Sequence, residues 1–105
     1  QTSPMLLMKK QFFDAIRTGR KTTTLRYWRR RMVALASVHG VRGLGRVHID
    51  TVTLVEPVDL TDADAQADGF DDLDQLTDAL EALYPHTDRQ DRRLYKVGFT
   101  FLPGD

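Results

Sequence analysis

The chain has 105 residues, which is room for one domain with its own core and too short for two ordinary ones. Its 41% hydrophobic and 29% charged residues are the balance of a globular protein, and no apolar run approaches the roughly 20 residues that span a bilayer. The cysteine count of zero excludes disulfides and thiolate metal sites, and it fits a reducing compartment. No basic region precedes the short apolar piece near the start, so it does not read as a signal peptide, and a cytoplasmic monomer is expected. Net charge is zero but divided. Residues 1–50 carry eleven lysines and arginines against two acids, and residues 51–105 carry four against thirteen, so the halves stand at +9 and −9. Such asymmetry suits either a polyanion partner for the basic half or neutralisation of one half by the other across the fold.

In chain order, residues 1–4 read as a flexible lead-in and residues 5–8 as either a short strand or the first turn of a helix. From residue 9 to 18 the spacing of Phe12, Phe13 and Ile16 predicts an amphipathic helix, which Gly19 stops because glycine takes a left-handed backbone at little steric cost. Lys21 therefore sits just past a helix end. The β-branched run that follows predicts a strand with Thr22, Thr24 and Arg26 on one face and Thr23, Leu25 and Tyr27 on the other, Leu25 marking the core. Two hydroxyls and a guanidinium in a row, beside the cations Arg20 and Lys21, suit an anion or a polar base. The same pattern also describes an exposed edge strand with cations as gatekeepers. Tyr27 and Trp28 then run into Arg29, Arg30 and Arg31; stacking on an aromatic ring stabilises a bound base by ~1–3 kcal/mol, and arginine pairs with phosphate. Trp28 serves a core equally well.

Residues 38–42 predict a strand and residues 43–45 a turn. The longest strand signal covers residues 46–55, where Val47, Ile49 and Thr51 alternate with polar residues before Val52 and Leu54 take over the apolar role; a bulge explains the switch and bends the strand as a small barrel requires. Thr61, with Asp64 three positions on, caps a short helix that Gly69 ends. A second helix, starting at residue 71 or 72 and ending at Leu83 before Pro85, carries the stripe Leu73, Leu76, Leu80 and Leu83. Residues 86–91 read as a polar loop and residues 94–102 as the closing strand, with Tyr95, Val97, Phe99 and Phe101 on one face.

Gly19-Arg20-Lys21-Thr22-x-Thr24-x-Arg26, behind a helix carrying Phe13 and Ile16, resembles the signature of the ASCH domain family. Ala67-Asp68-Gly69-Phe70, before a leucine-striped helix ending in Leu83-Tyr84-Pro85, resembles that family's second signature, so the likeness covers nearly the whole chain as one domain. It implies an α+β fold, a small PUA-like barrel of about five or six mixed strands with flanking helices, and a cleft on the Gly-Arg-Lys-Thr turn that binds RNA or a modified nucleoside. One bacterial branch is similar to amidohydrolases acting on N(4)-acetylcytidine. The branch's catalytic lysine, threonine and acid fall on Lys21, Thr24 and Asp68. Asp68 departs from it, because the branch has the longer glutamate there. A threonine hydroxyl needs a base to take its proton, and a lysine serves only if like charges and burial lower its pKa, whereas a nearby carboxylate raises it. Arg20, Thr22, Arg26, Tyr27, Trp28, Arg29, Arg30 and Arg31 are the candidate ligand-binding residues. Two further readings stay open: a ribonuclease drawing on His39, His48 or Lys21, and an RNA-binding module without turnover. No metal or cofactor is expected, since the three histidines lack ligand spacing.

Overall fold

The computed structural model describes residues 8–103, so the lead-in expected at residues 1–4 and most of the undecided piece at residues 5–8 lie outside it. Four strands, β1 (Thr23–Trp28), β2 (Val38–Val41), β3 (Gly45–Val55) and β4 (Arg93–Leu102), form one antiparallel sheet in the order β1-β4-β3-β2. The family resemblance implies about five or six mixed strands; the described residues hold these four, curled into a half-barrel with helices around it. None of their helices is long and apolar enough to cross a membrane.

The curl comes from the long middle strands. Ile49 pairs with Phe99 and Thr51 with Gly98, so Asp50 is the extra residue of a bulge where the sequence pattern switches faces. A side chain at position 98 would collide with the Thr51 hydroxyl, which instead accepts a hydrogen bond from the Gly98 N–H at 3.1 Å. After the bulge Val52 packs inward, while Leu54 is exposed rather than apolar-facing as the alternation implies.

Alternation along β1 and β4 sends Trp28, Val97 and Phe99 to one face and Leu25, Tyr27 and Leu94 to the other, and each face has its own core. Helix α1 (Phe13–Arg17) covers the first with Phe13 and Ile16. Helices α2 (Asp62–Ala67) and α3 (Leu73–Leu83) cover the second with Ala65, Leu76 and Leu80. The helix expected over residues 9–18 is split into a 3-10 turn, Lys10–Phe12, followed by α1. Thr61 and Asp64 make the reciprocal capping box of α2, and the Asp72 side chain caps α3. Residues 86–91 hold a one-turn helix, α4 (His86–Arg89), where the sequence suggests loop; at four residues it is too short to show a period.

Leu80, 8% exposed, sits at the centre of the second core. Leu80→Ala is expected to cost ~2–5 kcal/mol, the range for deleting a buried leucine side chain, as read from urea unfolding. A loss below 1 kcal/mol would mean that α3 does not hold that core together.

Candidate active site

Where α1 ends, the backbone is fixed on three sides. Gly19 takes φ +80°, with open space where a Cβ would sit, so its conformation rather than crowding requires glycine. The Lys21 N–H then donates to Ala15 O at 2.9 Å, the Thr22 N–H to Ala67 O at 2.8 Å, and Thr22 O accepts from the Phe99 N–H at 2.9 Å. The turn is thereby tied to α1, to the end of α2 and to β4. Lys21 has only one way to point, which is inward beneath the C-terminus of α2.

Its ammonium lies 2.5 Å from Asp68 O, 2.8 Å from Thr23 O and 3.4 Å from Asp68 Oδ1, with the Phe12 ring centroid 4.7 Å away. Lys21 and Asp68 are 3% and 5% exposed, so this ion pair is shut off from bulk water. Gly69 makes the approach possible. At φ +98° it ends α2, and a Cβ there would meet Phe12 Cδ1 at 3.1 Å and Lys21 Cδ at 3.3 Å. Phe70 follows, its ring edge-on to Phe12 at 5.3 Å. The two sequence signatures are thus one packed unit.

Burial holds the Lys21 ammonium below the ordinary lysine value against the opposing pull of Asp68, and Arg26 adds to the lowering. Burial likewise pushes the Asp68 carboxyl up to about 6, although Lys21, Thr23 and Arg26 all pull it down. The pair's proton affinities have moved towards each other. Thr24, 5% exposed, accepts a 2.9 Å hydrogen bond on Oγ1 from Arg26 Nε. A guanidinium donating to that oxygen favours a developing alkoxide. Lys21 Nζ is engaged with Thr23 and Asp68 rather than with the Thr24 hydroxyl.

These four side chains border a cavity of about 280 Å³ whose other walls are mostly apolar: Met8, Phe12 and Phe70, with Lys9 beside them, on one side, and Leu76 and Leu80 of α3 with Tyr84 just past its end on the other. A few convergent polar groups in an apolar pocket are the usual composition of a small-ligand site, and this volume suits a single base-sized group. Sequence reasoning placed Lys21, Thr24, Arg26 and Asp68 here and missed the walls. Phe70 stood in the second signature and Tyr84 beside Pro85, but a wall residue has the same periodicity as a core residue.

The other candidates lie elsewhere. Arg20 and Thr22 are exposed outside this cavity, Arg29 pairs with Asp91 at 2.7 Å, and Arg30 and Arg31 are exposed beyond the end of β1. Trp28 is half-buried against the first core, with Tyr95 at 5.5 Å. Tyr27, expected to stack on a ligand, faces the second core with Leu25 because strand alternation puts both on the packed side, and its ring meets Tyr84 edge-on. His39 is buried and bonded to Ser37, His48 is paired with Asp50, and neither lines the cavity.

A carboxyl whose pKa is raised by folding contributes stability that is fully present below its unfolded value and lost as pH rises through the folded one, here about 6. Lys21→Met removes the cation and leaves Asp68 buried alone, a one-sided break that costs about 3–5 kcal/mol. Protonation relieves the stranded carboxylate, so the loss should be smaller at pH 5 than at pH 8. Urea unfolding of the wild type and the variant at both pH values checks this; equal losses would show that the two charges are not coupled.

No family model matches the sequence, and neither does any curated protein. Solved structures do match. A crystal structure of hypothetical protein PH0355 superposes with a TM-score of 0.78 at 10% identity, covering 94% of this chain and 98% of that one. The ASCH domain from Lactobacillus crispatus gives 0.70 at 16% identity over 84% of this chain and 68% of its own, and ZmASCH from Zymomonas mobilis gives 0.64 at 16% over 95% and 70%. At these identities the likeness speaks for the backbone arrangement, and there it agrees with both sequence signatures: the chain has the ASCH-domain fold, of the PUA-like kind.

Proposed function

We propose that the cavity receives the base of a modified nucleoside, free or within RNA, and that the protein hydrolyses the amide of N(4)-acetylcytidine. The observation that supports this reading most is the composition of the cavity. Aromatic and aliphatic walls suit the faces of a base, while Lys21, Thr24, Arg26 and Asp68 gather at its polar edge. An RNA-type ligand is what the resemblance of the two sequence signatures to the ASCH family implies, and the fold shared with an ASCH domain and ZmASCH is in keeping with it.

In this scheme Thr24 Oγ1 attacks the acetyl carbonyl carbon while its proton passes to the Lys21–Asp68 pair. Arg26, bonded to that oxygen, orients it for attack, and its guanidinium charge stabilises the negative charge that develops on the acetyl carbonyl oxygen. The carbonyl reforms as the C–N bond breaks, the pair returns the proton to the leaving N4 amine, and cytidine departs. Water then cleaves the acetyl ester, releasing acetate and restoring the hydroxyl. Asp68 is one methylene shorter than the glutamate of the amidohydrolase branch, and its hydrogen bond from Thr23 Oγ1 at 3.4 Å ties the shorter carboxylate to β1. A ribonuclease reading loses support, since the two histidines it drew on stand outside the cavity.

Incubation with N(4)-acetylcytidine is expected to release cytidine, with Thr24→Val lowering turnover at least a hundredfold while nucleoside binding persists. Because the acceptor is a carboxyl near 6, kcat/KM should fall as pH drops through about 6. N(4)-acetylcytidine bound without turnover by the wild type would leave a binding module. An acid limb near the ordinary aspartate value of about 3.9 would remove Asp68 from the proton path.

A further inference from the structure

A second cleft, of about 530 Å³, opens on the other side of the Tyr27–Tyr84 ring pair: Tyr84 lines the first cavity and Tyr27 the second. Its polar lining is His86, Arg89, Gln90, Arg92 and Arg93, with Glu56 as the one carboxylate. The arginines are three of the four lysines and arginines that the acidic half of the sequence possesses. The ladder pairs Trp28 with Arg93, and so brings them to the end of the sheet where Arg29, Arg30 and Arg31 leave β1. Two basic runs more than fifty residues apart in sequence therefore share one end of the molecule.

These arginines are not consumed by internal pairing. Among the described residues no ion pair involves Arg89, Arg92 or Arg93, although Asp91 between them is taken by Arg29. Arg89 Nε is buried and has no hydrogen-bond acceptor, and its guanidinium lies 5.9 Å from the Tyr27 ring centroid. A buried donor left unpaired is costly, and among the described residues no carboxylate, Glu56 of the same cleft included, forms an ion pair with Arg89. A phosphate oxygen supplies the missing acceptor, and the flanking arginines match its charge.

We propose that this second cleft is a phosphate subsite, so that the ligand is an RNA strand with one base in the first cavity and an adjacent phosphate held by Arg89, Arg92 and Arg93. The proposal takes from the preceding reading only the nature of the ligand. It assigns the phosphate contacts to the arginines after α4, whereas the sequence points first to Arg29, Arg30 and Arg31. The Tyr27–Tyr84 pair is the wall between base and phosphate. Since it is fixed by packing on both sides, the spacing between the two subsites is set before any ligand arrives.

Binding of cytidine and of a single-stranded octaribonucleotide is measured between 0.1 M and 1 M salt for the wild type, Arg89→Gln and Arg92→Gln. Each phosphate contact on a single strand contributes a log-log salt slope of about −0.7, so each variant should weaken RNA binding about fivefold more at 0.1 M than at 1 M salt. Cytidine affinity should change by less than RNA affinity does. If Arg89→Gln does not fold, Arg93→Gln, on an exposed position of β4, gives the same readout. RNA binding that depends on these arginines without any cytidine binding would keep the phosphate subsite and sink the base cavity. Salt slopes identical in wild type and variants, or equal losses for cytidine and RNA, would overturn the subsite even with the base cavity intact.

Discussion

The structure turns on a buried ion pair. Removing a lysine and an aspartate from water costs several kcal/mol per ion, and their mutual attraction offsets this only when the remaining protons and lone pairs are satisfied. Here the compensation is assembled from three separate stretches of chain: Thr23 O from β1, the Phe12 ring before α1, and the end of α2, which gives Asp68 O and the absence of a side chain at Gly69. Each helps to hold the pair, and the pair in turn fixes where α1, α2 and β1 meet. That mutual dependence explains why Gly-Arg-Lys-Thr and Asp-Gly-Phe, more than forty residues apart, act as one unit. It also makes the site's chemistry hard to separate from its stability, since removing either charge strands the other.

Strand position explains why the cavity lies where it does. Among the described residues β1 is at the end of the sheet, paired only with β4, and Phe99 N–H donating to Thr22 O sets the phase of the ladder. Thr22, Thr24 and Arg26 therefore turn their backbone groups towards β4, while Thr23, Leu25 and Tyr27 turn theirs to the outer edge. Lys21 Nζ covers one of these edge carbonyls, Thr23 O, and α3 lines the cavity alongside. An unpaired sheet edge is a hazard in most proteins, open to association with another chain. In this fold the edge is closed over by a helix, and the space left between them is the cavity.

What could be read from the residues follows from the reach of each signal. Capping at Thr61 and Asp64, the bulge at Asp50 and the stripe Leu73, Leu76 and Leu80 are local patterns whose cause lies within a few residues, and the structure reproduces them, whereas Leu83, expected to complete the stripe, is exposed. The polar members of the cavity were legible for another reason: the resemblance of the two signatures to the ASCH family carries Lys21, Thr24 and Asp68 over as a set, and strand alternation puts Arg26 beside Thr24. Tyr27 was misread because an aromatic residue beside three arginines looks like a stacking platform, whereas alternation from Leu25 already assigned it to the core. Helix α4 was missed because one turn carries no period, and the cavity walls because Leu76 and Leu80 pack and line at the same time. The acidic surplus needs no ligand: Asp64 and Asp72 are caps, and Asp62 accepts from the Leu73 N–H.

Charge, finally, gives the cavity a direction. Helix α3 runs along it from the acidic stretch Asp71, Asp72 and Asp74 to Tyr84, and past Tyr84 the chain reaches Arg89, Arg92 and Arg93. The halves of the sequence neutralise each other in part, through Lys21–Asp68 and Arg29–Asp91, while Arg89, Arg92 and Arg93 join the arginines after β1 at one end and Asp71, Asp72 and Asp74 stand at the start of α3. A base seated between Phe70 and Tyr84 thus has carboxylates on one side and guanidiniums on the other. Charges of one sign at a cavity mouth repel a phosphate over about a Debye length, ~8 Å at physiological salt, and opposite charges draw it in over the same range. For the RNA ligand proposed above, this field favours a backbone that leaves over the Tyr27–Tyr84 pair rather than along the start of α3. The direction is set by the same placement of charges that hides one lysine and one aspartate in the interior and leaves the arginines at the edge.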